Sequence, residues 1–238
     1  MRKKLPLFFL FWALVSQLAT AQKVIPELIR ADSAFVTGAY MPAYQLYRRI
    51  LHQQQQVSPQ MLLRMAYVQE GLGHYPAALY YLSMAQARQP RLSTWRKMAA
   101  LARDNRLTGY PENWRQDLQL TFRRYYYPGL QSLLIGAVVG GTLLLVRRRT
   151  LSRGWWTAYG AYLLLTGAYL NLLGMEKEAL VARPRAALMS GPSAGATWLT
   201  TAAAGDRLVV EGRQDTWYRV HWQGQDAYIR TQDLLLVQ

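Results

Sequence analysis

Cysteine is absent from all 238 residues. Disulfide frameworks, zinc–thiolate centres, iron–sulfur clusters and thiol nucleophiles are excluded together. Histidine is scarce too: His52 lies in a glutamine tract, His74 at a helical turn and His221 in a strand-forming run. None has HExxH spacing or a carboxylate at ligand spacing, so no metal and no cofactor is expected. GxGxxG, phosphate-loop and GxSxG patterns are missing, and the carboxylates stand singly rather than in acid–base pairs. The sequence therefore predicts no enzyme; a peptidoglycan hydrolase would need a catalytic constellation that it does not show.

Acidic residues are also few, 13 against 28 lysines and arginines, for a formal charge of +15. Such an excess suggests nucleic acid until the charges are located. Residues 1–21 carry +3, residues 22–128 hold 14 basic and 6 acidic side chains, and residues 147–153 carry +4. Long uncharged runs separate these blocks, which is the pattern of a membrane protein, and no nucleic-acid partner is expected. Global disorder is excluded, because apolar residues make up 51 % of the chain and charged residues 17 %.

Arg2, Lys3 and Lys4 precede the apolar run Leu5–Val15, and Ala19-Thr20-Ala21 has the small residues of a cleavage site. Residues 1–21 read as a secretory signal peptide, the other reading being an uncleaved anchor. No charge occurs between Arg124 and Arg147, nor between Arg153 and Glu176. Each run is long enough to cross a bilayer at about 1.5 Å per residue. The spacing predicts two transmembrane helices, 125–146 and 154–175, joined by a short loop, 147–153. Arg147, Arg148, Arg149 and Arg153 in that loop set the topology by holding the hairpin tip in the cytoplasm. Gly136 and Gly140 form a GxxxG spacing, expected to pack against the second span through Thr157, Ala161 or Gly167. Residues 106–124 read as a juxtamembrane helix.

Before the membrane, Gly38-Ala39-Tyr40 with Ala43 and Tyr47 recurs 35 residues later as Gly73-His74-Tyr75 with Ala78 and Leu82. Glycine ends one helix, an aromatic residue fills the turn, and alanine lets the next helix pack closely. Ala31, Ala43, Ala66 and Ala78 stand where two helices would touch. The pattern resembles the tetratricopeptide repeat. Its first copy departs in Glu27 and Arg30, where large apolar residues are usual. A capping helix over 93–105, with Ser93 as N-cap and Trp95, Met98, Leu101 and Ala102 on one stripe, would close the domain, 22–105. The resemblance implies a groove lined by the first helix of each repeat. Leu28, Asp32, Phe35, Leu63, Tyr67 and Glu70 are its candidate partner-binding residues; packing among themselves is the open alternative.

After the membrane, five short β-rich runs separated by turn formers predict a small all-β barrel: Leu180–Ala182, Ala187–Met189, Leu208–Glu211, Tyr218–Trp222 and Ala227–Ile229. Leu188-Met189-Ser190-Gly191-Pro192-Ser193, Gly205-Asp206-Arg207, Trp217-Tyr218-Arg219-Val220 and Gly224-Gln225-Asp226-Ala227-Tyr228-Ile229 resemble the bacterial SH3 domain over residues 178–238. Met189 and Ala227 depart from the family's arginine and glycine. That likeness implies binding of cell-wall peptides, which the missing arginine weakens. Trp222 and Tyr228 are the candidate ligand shelf, whereas Trp198 and Trp217 are expected in the core.

The fold class is thus a multi-domain membrane protein: an α-helical tetratricopeptide array, a two-helix transmembrane hairpin and a small SH3-like barrel. This order resembles the tetratricopeptide-containing, BatE-like proteins of the Bacteroides aerotolerance group. The resemblance implies a non-enzymatic scaffold in the bacterial inner membrane, with both soluble parts in the periplasm. Its partners would be membrane proteins, among them von Willebrand factor A-domain Bat proteins, in an envelope or stress-tolerance complex. A peptidoglycan-binding tether acting through the barrel is the alternative.

Overall fold

A computed structural model describes residues 26–53, 57–147, 152–171 and 177–237. The signal peptide, Arg148, Arg149 and the end of the second expected span lie outside the described residues. The chain divides into two compact units between residues 56 and 57.

In the first unit, helices α1 (Pro26–Val36) and α2 (Tyr40–Gln53) form a hairpin. Ala31 and Ala43 are fully buried, as the small-residue spacing predicts. Gly38 turns the chain at φ +83°, a left-handed conformation that residues with a Cβ rarely adopt.

The second unit repeats this hairpin with α3 (Pro59–Gly71) and α4 (Tyr75–Arg88), turned at Gly73 with φ +74°. A Cβ on Gly38 meets no atom within 4 Å, and one on Gly73 reaches the Tyr75 hydroxyl only at 4.0 Å. Gly38→Ala or Gly73→Ala should therefore cost only the left-handed backbone term, about 1 kcal/mol, read as a small drop in the melting temperature of the full chain. Helix α5 (Leu92–Asp104) follows. Trp95, Met98, Leu101 and Ala102 are buried as its stripe predicts. Its N-cap is Arg91 rather than Ser93, and no side chain caps it. Residues 105–113 are not helical, so the juxtamembrane helix expected over 106–124 begins only at Trp114.

From Trp114 the helix α6 runs unbroken to Val146, with Pro128 inside it, and α7 (Arg153–Asn171) packs back along it. Among the described residues one helical segment, Arg124–Val146, is long and apolar enough to cross a membrane. The 19-residue α7, with three tyrosines and two tryptophans, does not meet that measure. The glycines of α6 are used within the chain, but not against Thr157, Ala161 or Gly167: they face tyrosines. A Cβ on Gly129 would lie 2.8 Å from the Tyr169 hydroxyl oxygen, and one on Gly136 2.6 Å from that of Tyr162. On Gly141 it would lie 2.6 Å from the hydroxyl of Tyr159. Tyr159 donates to the Ala137 carbonyl at 2.7 Å and Tyr162 to that of Leu133 at 2.6 Å. Tyr126 and Tyr169 stack at 5.0 Å. Tyr159, Tyr162, Thr166 and Tyr169 follow the three-and-four spacing of a helix–helix seam.

The C-terminal part is a seven-stranded antiparallel sheet of β1 (Lys177–Val181), β2 (Ala186–Met189), β3 (Trp198–Ala202), β4 (Arg207–Gln214), β5 (Trp217–Trp222), β6 (Gln225–Arg230) and β7 (Leu234–Leu236). The order across it is β3-β2-β6-β5-β4-β1-β7, an open sheet with β3 and β7 at its edges where a closed barrel was expected. Five of these strands coincide with apolar runs in the sequence. Strand β3, with Thr200 and Thr201, and the three-residue β7 do not stand out by composition. The core is formed by Ala179, Val181, Leu188, Leu208, Val220, Ala227 and Ile229 among others. Leu180 points the other way and is equally buried, so β1 is covered on both faces.

Candidate functional site

What covers the second face of β1 is the helical bundle. Leu180 belongs to one apolar cluster with Ala66 of α3, Leu79 and Leu82 of α4, Trp95 and Met98 of α5, and Leu120 of α6. The loop 105–113 completes this junction. Asp206, 3 % exposed, accepts the Thr108 backbone N–H on Oδ1 and that of Ala203 on Oδ2, both at 2.7 Å. Tyr110 donates its hydroxyl to the Gly205 carbonyl at 2.7 Å. Burial pushes the Tyr110 phenol far above its ordinary pKa despite the lowering effect of Arg207, so it remains a donor throughout the physiological range.

Arg207 is the centre of the contact. Its guanidinium forms a fork with Glu178, Nη2 to Oε1 at 2.6 Å and Nε to Oε2 at 3.1 Å. It also donates to the Gly109 carbonyl at 3.1 Å and lies 4.7 Å from the centre of the Trp95 ring. With only 10 % of its side chain exposed, these bonds act in a medium of reduced polarity, where a forked ion pair is stronger than at a surface. Close approach depends on two glycines. Gly109 has φ +89°, and a Cβ there would sit 2.1 Å from the Arg207 carbonyl oxygen; Gly205 has φ +96°, and its Cβ would meet Leu107 at 2.9 Å. The Gly205-Asp206-Arg207 turn was legible as a motif, but its docking role was not. The run Ala179-Leu180-Val181-Ala182, apolar on both alternating faces, is the signal that marks β1 as doubly covered.

The groove residues are distributed unevenly. Asp32 accepts the Tyr47 hydroxyl at 2.7 Å, and Phe35 packs edge-on against Tyr40, both inside the first hairpin; Leu28 is half-buried there. In the second unit Leu63 packs on the apolar cluster of the junction and Glu70 forms an ion pair with Lys97. Tyr67 is the outward-facing one, 56 % exposed. Arg147 ends α6 and Arg153 begins α7.

On the sheet, register separates the two shelf residues. Tyr228 stands opposite Met189 and Arg219, and Trp222 opposite Gln225. Alternation then puts Trp222 on the core-facing side, where it packs half-buried against the core, and Tyr228 on the outer side. Trp217 is buried as expected, but Trp198 is 60 % exposed on the edge strand β3. An edge strand has no second neighbour to cover it. Opposite Trp198 is Met189, so Trp198, Met189, Tyr228 and Arg219 form one row across four strands.

Glu211, His221 and Asp226 place one ligand atom each within 4.8 Å of one another at the surface. Arg219 lies among them, 3.2 Å from Glu211 and 3.9 Å from Asp226. Its charge opposes a cation, and the group reads as an exposed ion-pair network of small energetic weight.

No model of a known protein family matches the chain, and no curated protein is similar to it.

Proposed function

We propose that this chain is a membrane-anchored, periplasm-facing scaffold without enzymatic activity, working through protein–protein contacts in a Bat-type envelope or stress-tolerance complex. One observation carries the reading: the C-terminal sheet, through Leu180, and the helices α3–α5 share an apolar cluster, although α6 and α7 lie between them in sequence. Two parts in contact occupy one side of a bilayer, so a chain that leaves along α6 must return along α7.

The composition of α7 is compatible with that return. Hydropathy counts its tyrosines as polar, yet the Tyr159 and Tyr162 hydroxyls are turned inward and satisfied by carbonyls of α6. The outward side chains are Leu163, Leu164, Leu165 and Leu170 on α7 and Ile135, Val138, Val139 and Leu143 on α6, all exposed. Such a surface suits lipid, in which a polar group is tolerated when paired internally. Arg147 to Arg153 orient the tip toward the cytoplasm.

The absence of cysteine makes the test direct. Single substitutions Gln60→Cys, Ser152→Cys and Asp226→Cys fall at exposed positions. In intact spheroplasts a membrane-impermeant maleimide should label the first and third, and the second only after lysis. Labelling of Asp226→Cys only after lysis would refute the two-span arrangement. Co-purification with von Willebrand factor A-domain membrane proteins from mildly solubilised membranes is the partner-level readout; a chain that purifies alone argues against the scaffold.

A second reading, a peptidoglycan tether, draws on the row of exposed Trp198 beside half-buried Met189 and Tyr228. Retention of the full-length protein on purified sacculi, lost in Trp198→Ala, is its expected result.

A further inference from the structure

The C-terminal sheet uses β1, the turn before β4 and Arg207 to dock, and a different part of its surface stays open. Between the β1–β2 turn and the segment after β6 lies a cleft of about 430 Å³, within the size range of small-ligand sites. Three arginines line it, Arg183, Arg185 and Arg230, against one acid, Asp233. Asp233 sits 3.6 Å from Arg183 and partly neutralises it. Among the described residues Arg185 and Arg230 have no acidic partner. Arg230 lies 5.5 Å from the centre of the Trp217 ring, its cross-strand neighbour, which holds the guanidinium over the cleft floor. Arg185 occupies the tight turn with φ +59°. Met189, Ala187 and Ala194 give the cleft apolar walls, and Gln232 adds one polar, uncharged side chain.

We propose that this cleft captures the terminal carboxylate of a peptide whose last side chain is small and apolar. Arginine presents a planar fork that matches a carboxylate, which lysine does not. Two such forks beside methyl-bearing walls recognise a carboxylate attached to a small apolar group better than a bare anion. Capture of a chain end through its carboxylate is an established mode of peptide recognition. The proposal rests on the C-terminal sheet alone and is independent of membrane topology and of the scaffold reading. Two sources share this chemistry, the C-terminus of a partner protein and the D-alanine end of a wall peptide.

Fluorescence anisotropy on the full-length protein in detergent tests it, with fluorescein-labelled Gly-Gly-Ala-Ala in its L-Ala-L-Ala and D-Ala-D-Ala forms and with the C-terminal amide of each. At least one free acid should bind, and its amide about tenfold more weakly or not at all. Preference for the L form identifies a protein terminus and preference for the D form a wall peptide; each supports the capture. Arg185→Gln, at an exposed position, should weaken binding about tenfold. Arg230→Lys, which keeps the charge and loses the fork, should fall between. Equal binding of acid and amide overturns the proposal, as does unchanged affinity in a doubly substituted R185Q/R230K protein that retains its circular dichroism. Inorganic phosphate displacing the peptide at lower concentration than acetate would overturn the choice of carboxylate.

Discussion

Gly109→Ala is expected to detach the C-terminal sheet from the helices. The added methyl would lie 2.1 Å from the Arg207 carbonyl oxygen, which is backbone and has nowhere to move without displacing β4. Once the loop withdraws, Asp206 loses the Thr108 N–H, Arg207 loses the Gly109 carbonyl, and the Tyr110 hydroxyl parts from Gly205. Leaving buried polar groups unmatched, together with exposing Leu180, should lower the stability of the junction by about 3 kcal/mol or more. Calorimetry of the full-length protein should then show the C-terminal sheet melting separately, and a protease should cut within residues 105–113. The contrast is Gly38→Ala, equally left-handed but with open space around its Cβ, where only the small backbone cost applies. A similar small loss at both positions would mean that the junction does not depend on close approach at Gly109. Asp206→Ala reaches the same contact without touching the backbone and should also separate the two melting steps.

Gly136→Leu should have a comparable effect on the helix pair. A Cβ there would come within 2.6 Å of the Tyr162 hydroxyl oxygen, and leucine adds three further carbons to a seam already filled by a ring. Tyr162 would be driven from the Leu133 carbonyl, and its hydroxyl would have to find another partner or face lipid. Overpacking and the lost hydrogen bond sum to about 3 kcal/mol. The measurement is the sodium dodecyl sulfate midpoint for unfolding of the full-length protein in mixed micelles, expected to fall sharply. Val139→Leu, on the exposed face of the same helix, should leave the midpoint unchanged. If both variants unfold alike, the glycine seam does not hold the pair. Tyr162→Phe, which keeps the ring and removes the donor, should cost about 1 kcal/mol.

What could be read without coordinates were patterns in which one residue's neighbours lie within a turn or two of chain. The helical hairpins follow from glycine and alanine spacing, the stripe of α5 from Trp95, Met98, Leu101 and Ala102, and five strands from their apolar runs. The glycines of α6 announced a close helix contact within the chain, because small residues four apart on an apolar helix leave room for a neighbouring helix to come near. They did not say what, and the answer was a set of tyrosines whose phenols reach carbonyls that helix periodicity cannot reveal. Trp198 looked like core by residue type and is exposed because its strand has no outer neighbour. Most consequential is the junction. Thr108 and Asp206 meet across 98 positions of sequence, and no local spacing encodes such a meeting. Periodicity tells which face of an element is to be covered, as the doubly apolar β1 does, but the identity of the cover is a property of the packed molecule. Tertiary structure alone made Gly109, Trp95 and Arg207 into one site, since burial and complementarity in three dimensions arise only when distant segments exclude the same water.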